Sequence, residues 1–326
     1  MTRRATHSIP AFDGHASRRH ESVSIRRLNA RGAFEALRHR RRLAGIQSIV
    51  HFAGFPRSGH SLIGSIIDAH PNARIAHELD AIGLLEAGLP LSRIAALMDH
   101  ASRVFTRHGR YWNGYCYYVE GASHHRGDTL SVIGDKKGDM AVKRIQARPD
   151  LLEQLNRDTR WRKPWICVTR NPFDNIATMS LRAGRAYDAL RTRTPEPAAF
   201  AAALRQSQAD GHIADTVSDE QIDIYAALCE TVERIRSHTA ETDWHTLCHS
   251  ALAAAPHGVL SRLMAFLGLP IDPDHIARSA ALIHTRPSAT RELVAWPAAA
   301  RERVAGLIER YPFLAHYRDE RGHAVD

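Results

Sequence analysis

The sequence predicts a three-layer α/β domain with a central parallel sheet flanked by helices, and three observations predict it. Short apolar runs at 48–53, 73–77, 130–134 and 164–169, with a fifth candidate at 243–248, lack the polar alternation of a half-exposed strand. That is the pattern of strands buried on both faces. Helical stretches separate the runs, as crossover connections require. Finally, Arg57, Glu78, Lys136 and Arg170 each follow the carboxyl end of a run. In doubly wound sheets that edge binds ligands.

With 326 residues and a hydrophobic share of 44%, the chain suits one large domain, or one domain and an arm. Its formal charge of +9 is unevenly placed. Residues 1–42 hold eleven arginines against Asp13, Glu21 and Glu35, so eight of the nine net charges sit there. Residues 1–43 are therefore expected to form a basic, flexible arm, and 44–326 the domain. Such an arm can touch RNA, acidic lipid or a polyanionic substrate. A solvated extension is the simpler reading, and no nucleic-acid partner is expected. No apolar run approaches a membrane span, and the N-terminus lacks the apolar segment of a secretory signal. Cys116, Cys167, Cys229 and Cys248 are scattered, which suits a reducing, cytoplasmic setting. Neither H-E-x-x-H nor a Cys/His cluster occurs, so no metal is assigned.

The first run ends in a turn, Gly54 to Gly59, which enters an amphipathic helix at His60. Leu62, Ile63, Ile66 and Ile67 share a face of that helix, and Gly64 lets it approach the sheet closely. A strand that delivers a glycine-bounded turn to a helix N-terminus makes an anion cradle of backbone N–H groups and helix dipole. Arg57, Ser58, His60 and Ser61 add side-chain donors. The spacing G-x-x-x-x-G-H-S is that of the nucleotide P-loop, with His60 in place of its lysine. ATP or GTP chemistry needs that lysine and is disfavoured.

The segment F-P-R-S-G at 55–59, followed by D-A-H-P at 68–71, resembles the 5′-phosphosulfate loop of sulfotransferases. The resemblance is nearest to the branch holding the protein-tyrosine sulfotransferases and many bacterial homologues. It implies the donor 3′-phosphoadenosine 5′-phosphosulfate (PAPS), the product PAP, and a fold akin to nucleotide kinases. His60 departs from the threonines or serine usual there. Glu78 stands where this branch has its catalytic glutamate; a carboxylate there would draw the proton from a hydroxyl acceptor. His77 and His124 are the alternative bases.

Residues 79–108 read as two helices broken around Gly88-Leu89-Pro90. Tyr111, Trp112, Tyr115, Tyr117 and Tyr118 follow, either as an acceptor-binding wall or as a hairpin packed on the core. After the third run, Lys136 matches a lysine that such enzymes place near the transferring group, with Lys137 as its competitor. The fourth run leads into R-N-P at 170–172, where Asn171 can cap a helix and Pro172 suits its first turn. Asp174, Thr178 and Arg182 recur every four residues on one face. This segment resembles the family's 3′-phosphate motif, with Arg170 and Thr178 matching and Arg182 as a third contact. Residues 183–216 read as helix and loop, a candidate lid, and 219–237 as a long helix. The helix 256–269 ends in F-L-G, and Arg286 to Arg291 resembles the segment that closes over the cofactor, with Ser288 the better match and Arg291 the weaker.

Together these residues imply in-line sulfuryl transfer to a hydroxyl on a small molecule, carbohydrate or peptide. Glu78 would act as base, with Arg57, Lys136 and the loop stabilising the leaving phosphate. A P-loop small-molecule kinase and a non-catalytic polyanion binder are the alternatives, Asp135 being the kinase's candidate metal ligand. The acceptor and the oligomeric state are not legible.

Overall fold

The computed structural model describes residues 6–11, 19–112, 115–122, 129–194, 196–284 and 289–318. Five parallel strands form the sheet: β1 (Ser48–Gly54), β2 (Ala73–Ala76), β3 (Val132–Asp135), β4 (Trp165–Thr169) and β5 (Trp244–Cys248). Their order is β2-β3-β1-β4-β5. The chain moves to one side after β1 and crosses to the other after β3, so the crevice above β1 lies at a topological switch point. Every residue of β1 to β4 is buried, which is why those runs carry no polar alternation. The third strand begins two residues later than its apolar run and takes in Asp135, which pairs in register with both His51 and Ala76.

The main helices are α1 (Ile25–Arg38), α2 (His60–Asp68), α3 (Leu91–Arg107), α4 (Gly138–Ala147), α5 (Pro172–Leu181), α6 (Asp219–Ser237), α7 (Pro256–Leu267) and α8 (Ala298–Arg310). Alternate residues of β1 divide the core between two faces. Val50 and Phe52 pack with Ile63 and Ile67 of α2 and Leu263 of α7. Ile49 and Ala53 pack with Met98 of α3, Ile145 of α4, Tyr225 of α6 and Val304 of α8. Helix, sheet and helix thus make three layers.

At the end of α2, Asp68 joins several elements. Its carboxylate accepts from Ile75 N at 2.6 Å and Ser102 Oγ at 2.5 Å, and it pairs with the buried Arg110. The D-A-H-P turn is thereby tied to β2, α3 and the start of the aromatic stretch. Upstream of the sheet, the backbone of 6–11 pairs antiparallel with 19–24, and α1 lies against α3.

Candidate active site

The turn between β1 and α2 owes its shape to positive φ angles, +140° at Gly54, +104° at Gly59 and +68° at Arg57. Glycine adopts these freely, whereas Arg57 is strained there, a condition that accumulates at functional sites. Ser58 folds beneath the turn, its Oγ donating to Phe55 O at 2.9 Å. Asn175 of α5 donates to Pro56 O at 2.7 Å and anchors the turn from the far side. Above it the first amides and the positive dipole end of α2 gather.

His60, at the first position of α2, turns its imidazole back under the loop rather than out along it. Nε2 lies 3.2 Å from Ala53 O and 3.4 Å from Ser58 Oγ, and the ring meets Phe52 edge-on. Room exists because Gly54 and Gly138 lack side chains, since a Cβ at either would lie 2.9 Å from the imidazole. Burial pushes the ring's pKa down to about 4, so it is neutral at physiological pH and braces the loop.

Past β2 the backbone again enters the left-handed region, at Glu78 (φ +62°) and Asp80 (φ +64°). Asp135, the last residue of β3, holds this turn: one carboxylate oxygen accepts from Leu79 N at 3.0 Å and the other from Ala81 N at 2.8 Å. Burial raises its pKa to about 6 against the pull of those amides. The next residue, Lys136, donates to Glu78 Oε1 at 2.6 Å and to Ser61 Oγ at 2.9 Å. Asp135 and Lys136 therefore position Glu78 twice, through its backbone and through its carboxylate. Gly64 of α2 permits this, because a Cβ there would meet Lys136 Cβ at 2.9 Å.

At the end of β4, Arg170 is 8% exposed, and its fork is already aimed. Nη1 donates to Thr178 Oγ1 at 3.0 Å and Nη2 to Thr290 Oγ1 at 2.8 Å. Asn171 caps α5 and Pro172 opens it. Arg291 N and Nη1 both bind Asp174, which fixes the Thr290 segment onto α5. Arg182, the C-cap of α5, pairs with Asp188 at 3.1 Å, and Asp188 also lies 4.0 Å from Arg57.

All three clusters open into one cleft of about 620 Å³. Of the residues singled out from sequence, Arg57, Gly59, His60, Ser61, Glu78, Lys136, Arg170, Thr178 and Arg182 line it. Ser58 lies below the floor, while Ser288 and His124 fall outside the described residues. The lining holds six cationic side chains, including Lys137 and Arg191, against Glu78 and Asp139, so the cleft suits a multiply charged anion. A patch of Trp112, Tyr115 and Tyr117 also lines it. This aromatic stretch is both hairpin and wall, since Tyr111–Trp112 pairs with Tyr115–Cys116. Behind it His77 stacks on Phe105 at 4.2 Å and meets Trp112 edge-on; burial holds its pKa well below the ordinary imidazole value. Among the described residues no cluster of His, Cys, Asp or Glu could hold a metal ion.

No family model and no curated protein matches the chain. Solved structures do match it. Sulfotransferase STF9 from Mycobacterium avium is 12% identical at a TM-score of 0.42, covering 86% of this chain and 81% of that one. The sulfotransferase domain of the Synechococcus PCC 7002 olefin synthase is 11% identical at 0.40, covering 81% and 93%. Mouse sulfotransferase SULT7A1, solved with PAP, is 13% identical at 0.34, covering 86% and 89%. These solved structures are sulfotransferases. At identities this low, what the cleft can hold follows from its own side chains.

Sequence reasoning missed Thr290, Asp188, Tyr187 and Arg191. Thr290 lay two residues from Ser288 within a singled-out segment, and only the fold shows which hydroxyl meets Arg170. Asp188 had no local signal, because its partners come from the β1 turn and the end of α5.

Proposed function

We propose that this chain is a PAPS-dependent sulfotransferase acting on a hydroxyl acceptor. One observation carries the reading: the Arg57 turn and the Arg170–Thr178–Thr290 cluster, distant in sequence, open into the same cationic cleft. Such a cleft suits a nucleotide with an anionic group at each end, which PAPS is and ATP is not. The residues fit that ligand. Arg57, Ser61 and the α2 amides would hold the 5′ end, and Arg170, Thr178, Thr290 and Arg182 the 3′-phosphate. When bound, PAPS supplies an activated sulfuryl group. Glu78 accepts the acceptor's hydroxyl proton, its carboxylate held in place by Lys136. Lys136, on a flexible stem, can swing from Glu78 towards negative charge gathering on the leaving phosphate. The aromatic wall at Trp112, Tyr115 and Tyr117 would receive the acceptor. Asp135, the metal ligand of a kinase reading, instead spends both oxygens on backbone amides. The scattered thiols suit a cytoplasmic enzyme.

Calorimetry with PAP and with ATP–Mg²⁺ tests the donor; PAP should bind and ATP–Mg²⁺ should bind far more weakly. A metabolite screen with labelled PAPS then identifies the acceptor. Equal affinity for the two nucleotides would sink the proposal.

A further inference from the structure

Helix α1 seats Leu28, Gly32 and Glu35 against the domain and turns two large apolar side chains outward. Its inner face buries a carboxylate: Glu35, 3% exposed, receives Arg103 at 2.7 Å and His100 Nδ1 at 3.1 Å. Gly32 lies so close to Arg93 that a Cβ would meet its backbone oxygen at 3.0 Å. Just beyond the helix, Arg42 pairs with Asp99 at 2.5 Å. These contacts fix the rotation of the helix. Turned outward are two large apolar side chains, Phe34 at 51% and Leu37 at 73% exposure.

Arg26, Arg27, Arg31, Arg38, Arg40 and Arg41 are exposed as well. Glu35 is the sole acid of residues 25–43, and it faces inward. At about 100° per residue, Phe34 and Leu37 fall within the exposed arc. Arg27, Arg31 and Arg38 flank Phe34 on one side, and Arg26 flanks Leu37 on the other. The Arg38 guanidinium lies over the Phe34 ring, 5.9 Å from its centroid. An apolar centre rimmed by arginines, with no outward acid on its own helix, remains.

We propose that this face docks on an anionic lipid surface, with Phe34 and Leu37 entering the interface and the arginines meeting the headgroup anions. Charge complementarity selects the occupant. A nucleic-acid backbone would satisfy the arginines but leave Leu37 in water. Arg31 reaches back to Glu35 at 3.5 Å, so a neutral protein groove would take the apolar pair and leave five exposed arginines, Arg26, Arg27, Arg38, Arg40 and Arg41, without an anion. An anionic bilayer supplies both partners at the depth each needs. The attachment is peripheral: among the described residues no helix is long and apolar enough to cross a membrane. This inference does not depend on what the cleft binds.

Co-sedimentation of the full chain with phosphatidylcholine vesicles, with and without phosphatidylserine, tests it. Pelleting is expected only with phosphatidylserine and should weaken as salt rises. Arg27→Gln with Arg41→Gln should lower partitioning roughly 30-fold. Phe34→Ser with Leu37→Ser should lower it at least about tenfold. Both pairs should keep the thermal transition of the parent, since none of the four side chains is buried. Binding equal for the two vesicle types, or unchanged in both variants, overturns the proposal. So does single-stranded RNA that displaces the chain from vesicles at lower concentration than it binds lipid, or self-association that covers Phe34 in the absence of lipid.

Discussion

Replacing Arg170 gives the sharpest test of the cleft. Its guanidinium is nearly buried and held by Thr178 and Thr290, so it would meet a phosphate with little further loss of rotamer freedom. Each charge-assisted hydrogen bond contributes about 1.5–3 kcal/mol, so a bidentate grip is worth roughly 3–6 kcal/mol. Arg170→Ala should therefore weaken PAP binding by about two to four decades. Water entering the vacated space moves the expectation towards the lower end. Arg170→Lys keeps the charge but cannot reach both threonines and a phosphate together, and about a tenfold loss or more should remain. Titration calorimetry with PAP and with ADP, which lacks the 3′-phosphate, reads the effect. The loss should be large for PAP and small for ADP. Equal losses for the two ligands, or a PAP loss under tenfold, would refute the assignment of Arg170 to the 3′ end.

Glu78→Gln should retain PAP binding while turnover with an identified acceptor falls by about 10²–10⁴, the range for losing a general base; near-full activity would move the base elsewhere. Asp188 pairs with Arg57 and Arg182 where ligand anions are proposed to sit, and it is half-exposed. With such pairs worth about 0.2–1 kcal/mol, Asp188→Asn should tighten PAP by up to about fivefold in the same titration, and weakening would count against it. The His60 pKa is about 4 in the fold against 6.5 when unfolded. The unfolded chain therefore binds more protons between those values, and stability falls as pH drops from about 6.5 to 4. Asp135, raised to about 6, acts with the opposite sign over about 6 to 4. Urea titrations across that window should give a steeper acid loss for the parent than for His60→Gln, and parallel curves would contradict the buried, neutral imidazole.

The buried strands were legible because burial on both faces leaves uniform apolar runs, and because Gly54, Gly59 and Pro172 punctuate their ends. The long helix Asp219–Ser237 was legible to the residue. Arg57, Glu78, Lys136 and Arg170 were legible as strand-end groups. What a side chain does once there was less so. His60 has the sequence position of a phosphate-gripping lysine, yet two glycines far apart in the chain, Gly54 and Gly138, open space for it beneath the loop. Asp135 reads as a metal aspartate until the β2 turn supplies two amides to it. The outward Phe34 and Leu37 were illegible for the same reason. Both lie in residues 1–43, expected from the charge pattern to form an arm, whereas the partners that draw Glu35 inward sit on α3, more than sixty positions away.

The register of the sheet has a consequence for selectivity. β1 and β4 are hydrogen-bonded neighbours, with Gly54 beside Val168, so Arg57 and Arg170 are mounted three and two residues beyond a shared rung. Changing the span between them would mean shearing two strands that are buried along their whole length. On the proposed function this register would act as a fixed calliper. Arg57 and Arg170 would judge a ligand by the length between its charged ends, with adjustment left to side chains such as Arg182 and Asp188 that ride on the helices outside the jaws.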